Sequence, residues 1–311
     1  MVNQAKYRIL SLDGGGIRGV LTCTLLERIE QANPGFLDSI DLIAGTSTGG
    51  ILALGFAAGK TPAEMRALYE NNGDKIFAEA PLENFLHIEI NQLIKADYAN
   101  QALKSALIEQ FNTLTLAGLK KKVLVASFDL DNLASGVGKI RSWKPKFFNN
   151  FPGPGSDELE AVVDVALRTS AAPTYFPIYQ GYIDGGVVAN NPSMCALAQA
   201  MHELNGKEPG QSITLLSVGT GRSLDYLPNL DSSWGLAQWA SHLVSIMLGG
   251  SQGVADFQCA QALGQAYFRI DPIMTVSVDL DNYHEIPYLK QLGDQVDLTD
   301  TNAWIKGTYL S

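Results

Sequence analysis

Ile40-Asp-Leu-Ile-Ala-Gly-Thr-Ser-Thr-Gly-Gly-Ile-Leu-Ala-Leu-Gly-Phe-Ala-Ala58 is the stretch from which the fold can be read. An apolar run (Ile40, Leu42, Ile43, Ala44) leads into Gly45-Thr46-Ser47-Thr48-Gly49, and a second apolar run, Ile51 to Ala58, leads out. That order specifies strand, sharp turn and helix with a serine at the apex, the arrangement of a nucleophile elbow. Gly45 and Gly49 answer a steric need, because a β-carbon on either would collide across so tight a turn. Ser47 also stands at a helix N-terminus, where free N–H groups and the helix dipole favour developing negative charge. A glycine-rich strand–helix turn without chemistry satisfies the same pattern, so the neighbouring sequence has to decide.

Upstream, Tyr7 to Leu12 reads as a short buried strand, followed by Asp13-Gly14-Gly15-Gly16-Ile17-Arg18-Gly19 and a helix to about Ala32. Bare N–H groups in that loop can face an anion. They suit an oxyanion hole, which needs fixed donors where charge develops, with Arg18 bracing the loop. Gly14-x-Gly16-x-x-Gly19 also satisfies the dinucleotide-binding fingerprint. That fold wants an acid at the far end of the second strand. Here Asp41 stands at its start, and its end holds Gly45-Thr46-Ser47. Downstream, Tyr182-Ile183-Asp184-Gly185-Gly186 places an aspartate at a strand end before paired glycines, with Asn190-Asn191-Pro192 just beyond. Alone, Asp184 reads more readily as a turn aspartate accepting local N–H groups.

The remaining pattern supplies the framework. Thr61 and Pro62 read as the cap and first turn of a helix. Leu103, Ala106, Leu107 and Phe111 recur at helical spacing within Ala99 to Phe111. Lys122 to Phe128 and Ile140 to Phe148 read as strands, Leu159 to Leu167 as helix and Tyr179 to Ile183 as strand. A helix from Asn191 and a strand from Ile213 to Val218 follow, the latter ended by Gly219-Thr220-Gly221. Strands alternating with helices specify an α/β fold with a largely parallel central sheet. The carboxyl ends of its strands would bring serine, glycine loop and aspartate to one crevice.

With these residues in order, the chain resembles the patatin-like phospholipases, lipid acyl hydrolases with a Ser–Asp dyad. The resemblance rests on Asp13-Gly-Gly-Gly-Ile-Arg-Gly19, Gly45-Thr-Ser-Thr-Gly-Gly50 and Asp184-Gly-Gly186. Arg168-Thr-Ser-Ala-Ala-Pro-Thr-Tyr-Phe-Pro177, Ala189-Asn-Asn-Pro192 and Ser217-Val-Gly-Thr-Gly221 support it. It covers about residues 7 to 270, and nothing beyond Pro272 contributes. It implies a three-layer fold, one domain over 1–311, Ser47 as nucleophile and Asp184 as base. It also implies an oxyanion hole in Gly14, Gly15, Gly16, Ile17 and Arg18, an elbow flanked by Gly45 and Gly49, and a dyad loop at Gly185 and Gly186. The implied substrate is a lipid met at a membrane or micelle, with no cofactor and no metal. The alternatives are a Ser–His–Asp esterase using His202, His242 or His284, and a non-catalytic module binding lipid or nucleotide.

Composition narrows the partners. The 311 residues are 46% hydrophobic and 17% charged, enough for one sizeable core. With 22 Lys and Arg against 32 Asp and Glu, the formal net charge is −10, which disfavours nucleic acid and strongly anionic membranes. Cys23, Cys195 and Cys259 lack metal-site spacing and read as free thiols packed in apolar surroundings; His87-Ile88-Glu89 is a lone pair of possible ligands. No apolar run is long enough to span a bilayer. With no leader pattern at the N-terminus, a cytoplasmic location is expected. Ser233 to Met247, an apolar tryptophan-bearing helix, is expected to pack on the core. Lys139 to Lys146 reads as an exposed basic and aromatic strand.

Overall fold

Lys6–Leu12 forms β1, a strand flanked on both sides within the main sheet. The computed structural model describes residues 6–77, 88–136, 138–204, 212–224, 226 and 236–311. A short 3-10 turn, Gly16–Arg18, leads from β1 into α1 (Gly19–Ala32), β2 (Leu42–Thr46), α2 (Thr48–Ala58) and α3 (Pro62–Ile76). Next come α4 (Ile88–Phe111), β3 (Lys122–Asp129), β4 (Lys144–Asn149), α5 (Val162–Thr169), β5 (Tyr182–Asp184) and α6 (Gly186–Ala189). The chain continues through α7 (Ser193–Leu204), β6 (Ser212–Val218), β7 (Arg222–Ser223) and α8 (Leu236–Leu263). It ends with β8 (Tyr267–Ile270), β9 (Ile273–Met274), α9 (Ile286–Gln295) and α10 (Thr299–Trp304).

The main sheet has the order β4-β3-β2-β1-β6-β8, with β5 also on β3. Every pairing from β3 across to β8 is parallel, while β4 and β5 run antiparallel to β3. Parallel neighbours need crossover connections, and α1, α2 to α4, and α8 supply them. Because both faces are covered, the strands read as continuous apolar runs whose residues alternate between two cores. Leu10, Leu12, Ile43, Val125 and Val218 pack with α1 to α5 and α9; Ile9, Leu42, Ala44, Leu124 and Leu215 pack with α7 and α8. The result is the expected three-layer α/β fold.

Local sequence explains the elements that matter here. Thr61 and Glu64 form a reciprocal capping box and Pro62 opens α3. Helix α2 is buried on every side, which is why it is uniformly apolar.

Several boundaries differ from the sequence expectation. The strand expected over 140–148 starts only at Lys144, because Asn132 holds the Ile140 carbonyl and the Ser142 N–H. The helix expected over 159–167 starts at Val162, since Ala161 is drawn into a bridge with Thr115 and Leu159 is exposed. Tyr179 and Tyr182 pair with each other across a tight turn, so the strand after them is shortened to β5. Asn191 caps α7 through Ser193 N–H instead of lying inside it.

The apolar segment ending at Met247 departs most. Its first residues, to Gly235, lie outside the described residues. From Leu236 it belongs to α8, which packs on α6, α7 and β8. Leu243, Ile246 and Met247 are exposed instead of joining the core. In the basic stretch, Arg141 and Lys146 are neutralised by Asp131 and Asp157, which leaves Trp143 and Lys144 exposed. Among the described residues no helix is long and apolar enough to cross a membrane.

Candidate active site

Strand β2 ends with Thr46 in register with Ala126 of β3. Ser47 then turns the chain with φ 55° and ψ −125°, and α2 begins at the next residue. A non-glycine residue in such a conformation stores about 1–3 kcal/mol of strain. The flanking glycines permit it: a β-carbon on Gly45 would lie 2.1 Å from the Gly49 carbonyl oxygen, and one on Gly49 2.3 Å from that of Leu12. From outside the turn, Thr169 Oγ1 accepts the Ser47 N–H at 2.8 Å and donates to the Ala126 carbonyl at 2.5 Å.

Asp184 reaches the same place from the opposite direction. Strand β5 takes up the edge of β3 where β2 leaves it, and Asp184 stands in register with Ser127. Sequence reasoning expected the aspartate at the carboxyl end of a parallel strand. It arrives on an antiparallel one, and β2 and β5 meet tip to tip. The Ser47 hydroxyl and the Asp184 carboxylate line the same cleft lobe, near enough for the hydroxyl to favour the ionised carboxylate. Gly186 N–H donates to Asp184 Oδ1 at 2.7 Å, and Asp184 N–H goes to the Ala171 carbonyl at 2.9 Å. Burial raises the Asp184 carboxyl from 3.8 to about 6, with the nearby Ser47 hydroxyl and the Gly186 hydrogen bond opposing the shift.

The glycine loop is clamped from three sides. Gly14 N–H donates to the Asn190 carbonyl at 3.0 Å, and the Gly14 carbonyl accepts Thr220 Oγ1 at 2.9 Å. Ile17 N–H donates to the Leu280 carbonyl at 2.8 Å and Arg18 N–H to that of Gly15 at 3.1 Å. Arg18 Nε also reaches the Gly15 carbonyl, at 3.3 Å. Of the five residues from Gly14 to Arg18, only Gly15 and Gly16 therefore keep N–H groups without an acceptor among the described residues. Gly16 has φ 56°, and a β-carbon there would lie 2.1 Å from the Leu280 carbonyl oxygen, so no other residue fits. Asp13, fully buried at the start of the loop, accepts Arg269 Nη2 at 2.7 Å and Gln252 Nε2 at 3.1 Å. Burial raises its carboxyl to about 6 against the opposing Arg269 charge, whose guanidinium is in turn held more firmly protonated.

Two lobes of a cleft meet at Ser47. One runs between Ile51, Tyr69, Ile76, Phe77, Leu103 and Phe176, with Phe77 and Phe176 edge to face at 6.0 Å. Tyr69 closes its wall by hydrogen bonding Thr48. The other holds Gly14, Gly15, Arg18, Asp184, Val187, Asn190 and Leu248. Ala172, Tyr175 and Leu280 border both. Aromatic residues and isoleucine make up most of the first lobe's apolar wall. Among the described residues no histidine lines either lobe. His202 and His284 are exposed, His242 lies on α8, and His87 falls outside the described residues.

Several residues here had no assigned role in the sequence. Thr169, Asn190 and Thr220 sat inside stretches that supported the family resemblance, so the signal was present but mute. Leu280 and Arg269 left no signal, and Leu280 comes from a tail that matched nothing.

A family model described as patatin-like phospholipase matches residues 10–197. A cGAMP-activated phospholipase of Pseudomonas aeruginosa is 34% identical over 87% of this chain and 80% of its own length. The putative sporulation hydrolase CotR of Bacillus subtilis is 30% identical over 97% of this chain and 98% of its own. Patatin-like protein 2 of Arabidopsis thaliana is 26% identical over 93% and 82%.

Proposed function

The chain belongs to the patatin-like phospholipase family, and we propose on that premise that it is a lipid acyl hydrolase working through an acyl-enzyme on Ser47 with Asp184 as general base. The Ser47 hydroxyl and the buried Asp184 carboxylate in one cleft lobe, beside the open N–H groups of Gly15 and Gly16, carry this reading. Serine hydroxyl is a weak nucleophile until a base removes its proton during attack. A carboxylate of ordinary pKa is a poor base near neutrality, and one raised to about 6 is a better one.

In the proposed reaction Ser47 Oγ attacks the ester carbonyl as Asp184 takes its proton. The oxyanion forms against Gly15 and Gly16 N–H, each donor contributing roughly 3–4 kcal/mol. Collapse expels the alcohol, which receives the proton from Asp184 and leaves the acyl group on Ser47. Water then attacks, giving its proton to Asp184, and the second collapse returns that proton to Ser47 and releases the fatty acid. The apolar lobe suits the acyl chain and the lobe beside Arg18 and Asn190 suits the alcohol portion of a phospholipid or related glycerolipid.

A Ser–His–Asp esterase would need an imidazole beside Ser47, and the cleft linings among the described residues contain none. A non-catalytic module has no use for a strained serine that shares a cleft lobe with a buried carboxylate. Cys23, Cys195 and Cys259 are free thiols, which suits a reducing, cytoplasmic setting. Fatty-acid release from a medium-chain p-nitrophenyl ester and from phosphatidylcholine vesicles, in excess chelator, tests the reading. Release by the wild type and its loss in Ser47→Ala and Asp184→Ala is expected. Full release by a folded Asp184→Ala protein would refute it.

A further inference from the structure

Helix α8 carries an apolar surface that the fold does not use. Leu243, Ile246, Met247, Val254 and Phe257 are all exposed, from 41% at Leu243 to 66% at Phe257. At helical spacing the five fall within an arc of about 100° and form a stripe about 21 Å long. Trp239, 37% exposed, lies in the same arc one turn earlier. Among the described residues of α8, every exposed one is uncharged. Stripes of this size on a water-soluble surface mark an interaction site.

The opposite side of α8 belongs to the active site. Leu248 lines the cleft lobe shared with Ser47 and Asp184. Gln252 donates to Asp13 at 3.1 Å, and Ser251 Oγ lies 3.4 Å from the Asn190 N–H, so the helix is tied to the aspartate that opens the glycine loop and to one of the residues that clamp it. Ala255 and Cys259 are buried below. The stripe thus begins where the cleft wall ends.

We infer that this face of α8 is the surface by which the protein docks on uncharged, zwitterionic phospholipid, laying the cleft mouth against the layer that holds the substrate. The inference rests on the lipid hydrolase reading. Charge selects the partner: the stripe offers no cation to an anionic headgroup, and a chain of formal net charge −10 is repelled by anionic membranes and by a second copy of itself. Continuity with the cleft selects a substrate-bearing surface over a protein partner, whose interface would carry polar groups to fix its orientation.

Sedimentation with phosphatidylcholine vesicles tests the docking, using Ser47→Ala protein so that lipid is not consumed. It is compared with the same protein carrying Ile246→Ser, Val254→Ser and Phe257→Ser, none of which lines the cleft. In the otherwise wild-type background, both forms are assayed on monomeric dihexanoyl phosphatidylcholine and on vesicles. The expected result is vesicle partition and vesicle hydrolysis weakened at least about 10-fold, with turnover of the monomeric ester kept within about two-fold. If the triple variant also loses monomeric turnover, the single Ile246→Ser and Phe257→Ser proteins carry the comparison. Unchanged vesicle partition overturns the inference. So does a wild-type dimer that the substitutions convert to monomer without loss of vesicle binding. A wild type that binds vesicles through this face yet hydrolyses neither lipid leaves the docking standing and defeats the enzymatic reading.

Discussion

Thr169 accepts the N–H of Ser47 at 2.8 Å and donates its own hydroxyl to the Ala126 carbonyl at 2.5 Å. One buried side chain thereby ties the apex of the elbow to the end of β3. Thr169→Val keeps most of the volume but leaves the Ser47 N–H buried without a partner, a loss of about 1–3 kcal/mol. The urea midpoint should fall with an unchanged slope, and kcat should drop more than KM rises as Ser47 loses its alignment. Wild-type stability in Thr169→Val would show that the elbow is held elsewhere.

The pH–rate profile tests the proposed base. Burial raises the Asp184 carboxyl to about 6, and only the carboxylate accepts the serine proton, so kcat/KM should climb as pH rises through about 6 and level off above it. An acid limb near 4 would mean that the base is an unshifted carboxyl.

The same burial makes Asp184 a liability to the fold. Its native pKa lies above the unfolded value, so the folded state binds more protons between about pH 4 and 6, and stability falls as pH rises through that window. The total is about 2–3 kcal/mol. Asparagine cannot ionise and escapes this loss. Asp184→Asn should be inactive yet more stable than wild type at pH 8, with the advantage shrinking toward pH 4. A stability difference equal at both pH values in urea titrations would contradict this.

Arg269 is the counter-ion of the glycine loop. It donates to Asp13 at 2.7 Å, to Asp271 at 2.9 Å and to Ser217 at 2.7 Å. Arg269→Gln leaves Asp13 buried without its cation and should cost about 3–5 kcal/mol. Without the guanidinium Asp13 holds its proton to higher pH than in the wild type, so the deficit should shrink as pH falls toward about 6. A pH-independent deficit in denaturation experiments would assign Arg269 a packing role instead.

What was legible in the sequence has local causes. Gly45 and Gly49 avoid contacts within a single turn, and Gly16 supplies a left-handed backbone, so the pattern of glycines reveals both loops. The alternation of apolar runs likewise reveals the layers. What was not legible depends on distant partners. Gly14 and Ile17 were expected to offer N–H groups, and Asn190 and Leu280, both far along the chain, take them. No spacing rule announces that Asp184 would arrive on an antiparallel strand, because its position is fixed by the edge of β3 that β2 leaves vacant. For α8 the sequence showed an apolar face but not whether anything covers it. Coverage depends on how α7 already fills that side of the sheet.

Covalent labelling tests the central claim most directly. Wild type, Ser47→Ala and Asp184→Ala would each be treated with an alkyl fluorophosphonate, and the adduct located and timed by peptide mass spectrometry. The account predicts one adduct, on Ser47, absent from Ser47→Ala and formed at least about 100-fold more slowly in Asp184→Ala. Labelling of another residue, or labelling of Asp184→Ala at the wild-type rate, would contradict it.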